Sequence, residues 1–284
     1  MSIQIITDST CDLSATLIQE LGLEIVPLKV CFGEKEYTEG VDITTEQFYT
    51  KQAASAALPT TSQPSPQAFE NVFRPILERG DEAVVITLSS AISGTFQSAS
   101  IAKRTLKSEH IHLIDSRSAT IGLGDLVLKA NAMSHGGESA KEIVKTIENY
   151  ASRLRILALI DTLKYLHKGG RLSTVSSILG GMLSIKPLVG LVDGKVELIG
   201  RARGTKGACD WVGKRYAADK VDLSLGTVFG YTGTSDRMNE MIAVCQRYGV
   251  QDYYIESIGS VIGTHAGPGC AGIGYYVADS KKKA

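Results

Sequence analysis

Four short stretches of the chain carry the side chains that could do chemistry. Asp8-Ser9-Thr10 closes an apolar run near the start, Thr60-Thr61-Ser62-Gln63-Pro64 sets hydroxyls before a proline, and Ser89-Ser90-Ala91-Ile92-Ser93-Gly94-Thr95 follows a second apolar run. The fourth holds His265, within Thr264-His265-Ala266-Gly267-Pro268-Gly269-Cys270-Ala271-Gly272. The third is the most pointed. A helix starting near Ser93 would expose unpaired N–H groups and a partial positive charge, to which Ser93 and Thr95 add hydroxyls, and Gly94 would let a ligand approach the backbone. That combination suits an anion such as a carboxylate or phosphate. The ordinary reading is that Ser93 caps the helix and that Thr61 and Ser62 are turn residues before a proline-led helix. The functional reading of Thr61 and Ser62 requires that they face Ser93. His265, in what reads as a rigid glycine-rich loop, is either a site residue or a structural hydrogen-bonder.

Other chemistries find less support. Ser93 with His265 would make a serine esterase pair, but no GxSxG elbow surrounds Ser93. The hydroxyl-rich loop also resembles phosphate loops of sugar-phosphate isomerases, which keeps an enzyme on a phosphorylated sugar as a second alternative. Metal-ligand spacings of the HxxxH, HExxH and CxxC kind are absent, as is the Walker spacing around Gly169-Gly170-Arg171. The five cysteines are odd in number and widely spaced, so they read as small apolar residues of the core.

Several elements must position these stretches. Ile3–Thr7 reads as a strand, followed by a helix with Leu13, Leu17, Ile18 and Leu21 at helical spacing and Gly22 as its stop. Glu24 to Phe32 is β-rich but broken by Pro27, which argues for an edge or irregular strand, and Tyr37 begins a short return strand. Thr44 or Thr45 caps a short helix, and Pro59 to Pro66 reads as a loop. Ser65 and Pro66 form an N-cap and first-position pair for a helix bearing Phe69, Val72, Phe73, Ile76 and Leu77, bent at Pro75. Ala83 to Leu88 is the continuous apolar run of a strand covered on both faces. Alternation of strand and helix continues to about residue 155 and predicts a doubly wound, mostly parallel sheet. Beyond it, Val189–Val192, Asp193-Gly194 and Lys195–Ile199 read as a hairpin with a type I′ turn. Helices and strands alternate again to Val277. The expectation is an α/β protein of two domains: residues 1–155 with the polar loops, and an α+β domain with a hairpin-containing sheet at 156–284.

Composition narrows the partners. Lysine plus arginine and aspartate plus glutamate both number 30 among 284 residues, for a net charge of zero. Nucleic acid normally demands a basic excess, and an anionic membrane surface would gain nothing here. No secretory leader and no apolar run long enough to span a bilayer is visible, so a soluble cytoplasmic protein is expected.

Taken together, the motifs become specific. Ile6-Thr7-Asp8-Ser9-Thr10, Pro59 to Pro64, Leu88 to Ala99, Asp115-Ser116, Asp161 to Leu166 with Gly169-Gly170-Arg171-Leu172-Ser173, Ile185-Lys186-Pro187-Leu188 and His265-Ala266-Gly267-Pro268-Gly269 run in order along nearly the whole chain. In this order they resemble the DegV family. The resemblance implies a fatty-acid-binding protein, not itself an enzyme, that holds one long-chain fatty acid in a tunnel between its domains and has no other cofactor. It also implies that the carboxylate is held by Thr61 and Ser93, with His265 close to the same head group, and Ser62, Gly94 and Thr95 belong to the same motifs. Ile92, Phe96 and the segment from Ile178 to Leu188 are the expected apolar lining. The family's best understood members are carriers for a fatty acid kinase, which phosphorylates the bound carboxylate for phospholipid synthesis. The docking arginine of that pattern falls on Arg203 or Arg201, and Gly204 departs from it.

Overall fold

The computed structural model describes residues 2–172 and 184–279. Its first half runs β1 (Ile3–Asp8), α1 (Ala15–Glu20), β2 (Glu24–Val26), β3 (Lys29–Phe32), β4 (Lys35–Thr38), α2 (Thr45–Ala54), β5 (Thr60–Ser62), α3 (Pro66–Glu78), β6 (Glu82–Thr87), α4 (Thr95–Leu106), β7 (Ile111–Asp115), α5 (Thr120–His135) and α6 (Ala140–Arg153). The second half runs β8 (Leu154–Leu159), α7 (Lys164–Lys168), β9 (Ile185–Val192), β10 (Lys195–Arg203), α8 (Gly204–Ala218), β11 (Thr227–Tyr231), α9 (Asp236–Gln246), β12 (Tyr253–Ser257), α10 (Ser260–Ala266) and β13 (Ala271–Tyr276).

The first-half sheet is wholly parallel, in the order β2-β1-β6-β7. Residues Ala83–Ile86 of β6 are shielded from solvent, as their unbroken apolar run requires of a central strand with helices on both faces. The second-half sheet has the order β10-β9-β8-β13-β11-β12, antiparallel except where β11 meets β12. The molecule is therefore a two-domain α/β fold, a parallel sheet followed by a mixed sheet with a hairpin. That hairpin turns at Asp193 (φ 47°) and Gly194 (φ 77°), the two left-handed residues of a type I′ turn. A hydrogen bond of 2.8 Å from the Ser89 hydroxyl to the Gly194 carbonyl pins the turn to the first half.

Two expectations are corrected. Pro59 to Pro66 is not all loop, because Thr60–Ser62 forms β5 and pairs antiparallel with β3, which also pairs with β4. The run from Glu24 to Phe32 is consequently split around Pro27: β2 joins the parallel sheet, and β3 joins this separate three-stranded sheet. His265 does not lie in the glycine-rich loop but in the last turn of α10, which ends at Gly267 (φ 75°). Local signals are obeyed elsewhere. Ser65 caps α3 with Pro66 at its first position, and Thr44 and Ser139 close capping boxes on α2 and α6.

The two halves share one core. Leu28, Val30, Phe48 and Leu88 of the first half belong to the same buried cluster as Ile156, Val228 and Val261 of the second. Asp125 of α5 strengthens the join by accepting hydrogen bonds from Lys129 at 3.0 Å, Tyr254 at 3.0 Å and Tyr276. Among the described residues no helix is long and apolar enough to cross a membrane.

Candidate functional site

A cavity of about 950 Å³, mouth included, lies between the halves. The first half contributes Leu28, Thr61, Leu88, Ile92, Ser93 and the Ala119–Ile121 start of α5; the second contributes residues of β8, β9, α7 and α10. The wall is overwhelmingly aliphatic. Its polar side chains among the described residues are Thr61, Ser93, Thr120, Arg171 and His265, and no carboxylate lines it.

Four of these polar residues come from four distant segments. Thr61 is the middle residue of β5, paired with Val30, and strand alternation turns its side chain to the cavity. Its hydroxyl lies 2.9 Å from Nε2 of His265. Ser93 stands just before α4, whose N-cap is Gly94 without a side-chain cap. The Ser93 hydroxyl contacts Thr95 Oγ1 at 2.9 Å and accepts from the Thr95 N–H at 3.3 Å. Arg171 follows the end of α7 and is fixed by donating to the carbonyls of Gly169 at 2.6 Å and Ile92 at 3.3 Å. Gly169 is required there, because a methyl group at that position would overlap the His265 ring.

Electrostatics complete the corner. Burial, aided by the nearby Arg171 cation, pushes the His265 imidazole down to about 4, so the ring is neutral near pH 7. Its Nδ1 is buried without a partner. A ring protonated on Nε2 donates to Thr61, and the Thr61 proton is then free to point into the cavity. Hydroxyls and one cation thus line the same apolar chamber, an arrangement that can hold an anion attached to hydrocarbon.

The other sequence-derived residues lie outside this corner. Ser62 alternates to the opposite side of β5 from Thr61 and is absent from the cavity wall. Thr95 is fully buried behind Ser93. Gly94 is absent from this cavity's wall and packs against Gln63, whose side-chain amide a Cβ there would strike; Gln63 itself donates to Ser98 at 3.2 Å. Of the expected lining, Ile92 is in the wall and Phe96 is not, Val189–Leu191 of β9 replace Leu188, and 178–183 lie outside the described residues. Arg201 and Arg203 are both exposed on one face of β10, two residues apart. The Ser93–His265 esterase pair has no support in the geometry, since His265 bonds Thr61 and its lowered basicity suits it poorly to taking a proton. Arg171 is the residue the sequence reading passed over. Its only local signal was the Gly169-Gly170 turn that aims it.

The family profile described as "uncharacterised protein, DegV family" matches residues 2–278. The chain belongs to the DegV family. A DegV domain-containing protein of Caldanaerobacter subterraneus subsp. tengcongensis is 40% identical over 275 residues, covering 95% of this chain and 97% of that one. Another DegV domain-containing protein, from Deinococcus radiodurans, is 34% identical over 276 residues, covering 96% and 98%. Among solved structures, a DegV protein from Thermus thermophilus described by its fatty acid binding is 32% identical with a TM-score of 0.88, over 98% of this chain and 100% of that one. DegV from Bacillus subtilis, described as a fatty acid binding protein, is 28% identical with a TM-score of 0.83 over the same shares, 98% and 100%. A stearic acid-binding protein from Eubacterium ventriosum is 27% identical with a TM-score of 0.86, over 98% of each chain.

Proposed function

We propose that this DegV protein binds one long-chain fatty acid between its domains, 1–155 and 156–284, and presents the carboxylate to a fatty acid kinase. The observation that carries the reading is the aliphatic cavity with its polar groups gathered at Thr61, Ser93, His265 and Arg171. An amphiphile with one anionic end matches that distribution. Transfer of about 15 methylenes from water offers roughly 12 kcal/mol before the costs of association. The head group then needs only hydroxyls and one guanidinium. The fatty acid binding of the Thermus and Bacillus relatives supports the same ligand class.

Presentation to a partner fits the surroundings of the head-group corner. Ile92, Ser93 and Arg171 also border an outer depression lined by Gly94, Gly170 and Lys195, so the carboxylate would lie just inside an approach from solvent. In this reading the chain supplies binding and orientation, and the partner supplies the phosphoryl donor. Arg203 and Arg201 form the docking edge on β10, and the protein works in the cytoplasm without a metal. The test is solvent extraction of the purified protein followed by mass spectrometry. One acyl chain per protein is expected. A protein that carries none and takes up none when offered would overturn the proposal.

A further inference from the structure

Three sequence motifs with no part in the head-group corner converge beside it. Asp161 opens the segment that runs to Leu166, Lys186 lies in Ile185-Lys186-Pro187-Leu188, and Gly267-Pro268-Gly269 follows His265 in the chain. In the fold, the Asp161 carboxylate meets Lys186 of β9 at 2.5 Å and Arg237 of α9 at 2.9 Å. Arg237 also donates to the Gly269 carbonyl. Gly269 (φ 73°) packs directly on this knot of charges, since a Cβ there would come within 2.8 Å of Asp161 Oδ2 and 3.0 Å of Arg237 Nη1.

A second grip on the same segment comes from Thr232, which follows β11 and is fully buried. Its hydroxyl donates to the Gly267 carbonyl at 2.7 Å and accepts from the Cys270 N–H at 2.7 Å. Its own N–H donates to the Cys270 carbonyl at 3.0 Å, and its carbonyl accepts from the Gly269 N–H at 3.2 Å. One residue thus satisfies the backbone of Gly267–Cys270 at four points.

What is fixed there reaches His265. Helix α10 has seven residues, too few to hold a helix in water unaided, so the contacts at its ends set its direction. The Gly267 N–H closes its last turn on the Gly263 carbonyl at 2.9 Å. The Gly267 carbonyl lies past the helix end, where a buried acceptor needs a partner from elsewhere, and Thr232 is that partner. On its other side Gly267 packs on the Tyr165 ring of α7. The Tyr165 carbonyl accepts from the N–H of Gly169, the residue that abuts the His265 ring. Ion pairs as exposed as that of Asp161, at 40%, add little to stability, so the consequence of the knot is geometric.

We propose that Thr232 and the Asp161–Arg237 pair are positioning residues for the head group: by clamping Gly267–Cys270 they set the His265 ring against Thr61. The inference rests on the fatty acid reading above. Neither Thr232 nor Arg237 lines the cavity, so both reach the ligand only through the segment they hold.

The experiment measures two things on the full-length, delipidated protein. One is hexadecanoic acid affinity by calorimetry. The other is the NMR spectrum of nitrogen-labelled histidine rings, in which the signal missing from His265→Gln identifies His265. Thr232→Val keeps the side chain's shape and removes both hydroxyl hydrogen bonds. It should move the His265 ring signals and weaken hexadecanoic acid by about tenfold, the worth of one hydrogen bond, while Thr232→Ser stays close to wild type in both. Arg237→Gln should act in the same direction, by about threefold. Within His265→Gln, adding Thr232→Val should change affinity by less than about twofold, because the residue it acts through is gone. If Thr232→Val fails to fold, Arg237→Gln decides by the same two readouts. Ring signals and affinity that stay at wild-type values in these variants overturn the inference. So does a loss of affinity that persists undiminished in His265→Gln, which would place the effect in the Ala266 and Cys270 part of the wall. A wild-type protein that binds no hexadecanoic acid overturns the fatty acid reading instead, and the ring signals still report on the clamp.

Discussion

Two polar groups meet the two ends of α10, Glu39 and His265, and they differ in how completely their hydrogen bonds are closed. At its N-terminus, Glu39 accepts from Ser9 at 2.6 Å, Ser260 at 2.8 Å and the Val261 N–H at 2.7 Å. Nearby Asp8 accepts from the Thr10 N–H and hydroxyl and from the Leu88 N–H. Both carboxylates are saturated by the protein, and Asp8 opens one of the four stretches that the sequence offered for chemistry. At the C-terminal end, His265 keeps one contact to Thr61 and one bare nitrogen, and the adjoining Ser93 and Arg171 face an open chamber. Glu39 ties the first half to Ser260 and Val261 of the second, and Asp8 ties two strand ends of the first, whereas the groups around His265 are left open toward apolar space, where a ligand's oxygen atoms fit.

Breaking the closed corner should have the largest effect. Glu39→Leu strands three donors, and at roughly 1–3 kcal/mol each the loss of stability should be about 4 kcal/mol, read by urea unfolding. Ligand affinity of the folded fraction should change little. A variant that keeps its stability would remove the structural role assigned to Glu39.

Acid should sharpen the contrast next. The fold holds His265 neutral, with its imidazole at about 4 against an ordinary value near 6.5. Its contribution is complete above pH 6.5 or so and is lost as the pH falls toward 4, up to about 3 kcal/mol. Asp8 acts in the opposite sense. Burial raises it to about 6, so the protonated form is favoured and stability from this group declines as pH rises through 6. His265→Gln should therefore flatten the acid limb of the stability profile of ligand-free protein, whereas Asp8→Asn should steepen it. Unfolding at a series of pH values decides between these signs.

Opening the ligand corner further should cost binding and not folding. Thr61→Val and Ser93→Ala should each weaken fatty acid affinity by about 2 kcal/mol while unfolding free energy moves by less than about 1 kcal/mol. Equal losses in both would make them structural hydroxyls like those around Glu39. Smallest in its effect on binding is Gly194→Ala, which should cost roughly 1–2 kcal/mol of stability, because the position is left-handed and the new methyl crowds the Ser89 hydroxyl, and should leave fatty acid affinity unchanged.

The sequence made some of this visible and hid the rest for identifiable reasons. Periodicity with the Ser65-Pro66 cap announced α3, and the Asp193-Gly194 pair announced the hairpin, because those signals are local. Thr60–Ser62 looked like loop between prolines, since its strand character comes only from pairing with β3 about 30 residues earlier. Helix α10 was hidden by a glycine at its centre and by a cap, Glu39, that lies 221 residues from Ser260. Thr61 and Ser93 were legible through their motifs, but the contact of Thr61 with His265 depends on those hidden elements. Arg171 acquires its place from the carbonyls of Gly169 and Ile92, the latter 79 residues away.

The central claim is that a fatty carboxylate sits among Thr61, Ser93, His265 and Arg171. Hexadecanoic acid isotope-labelled at its carboxyl carbon, bound to the delipidated protein and titrated by NMR, tests it most directly. The account predicts one bound resonance that stays ionised well below the pH at which a free carboxylate protonates, and that shifts in Thr61→Val and Ser93→Ala. A bound carboxyl that titrates as it does in water, and is the same in both variants, would contradict it.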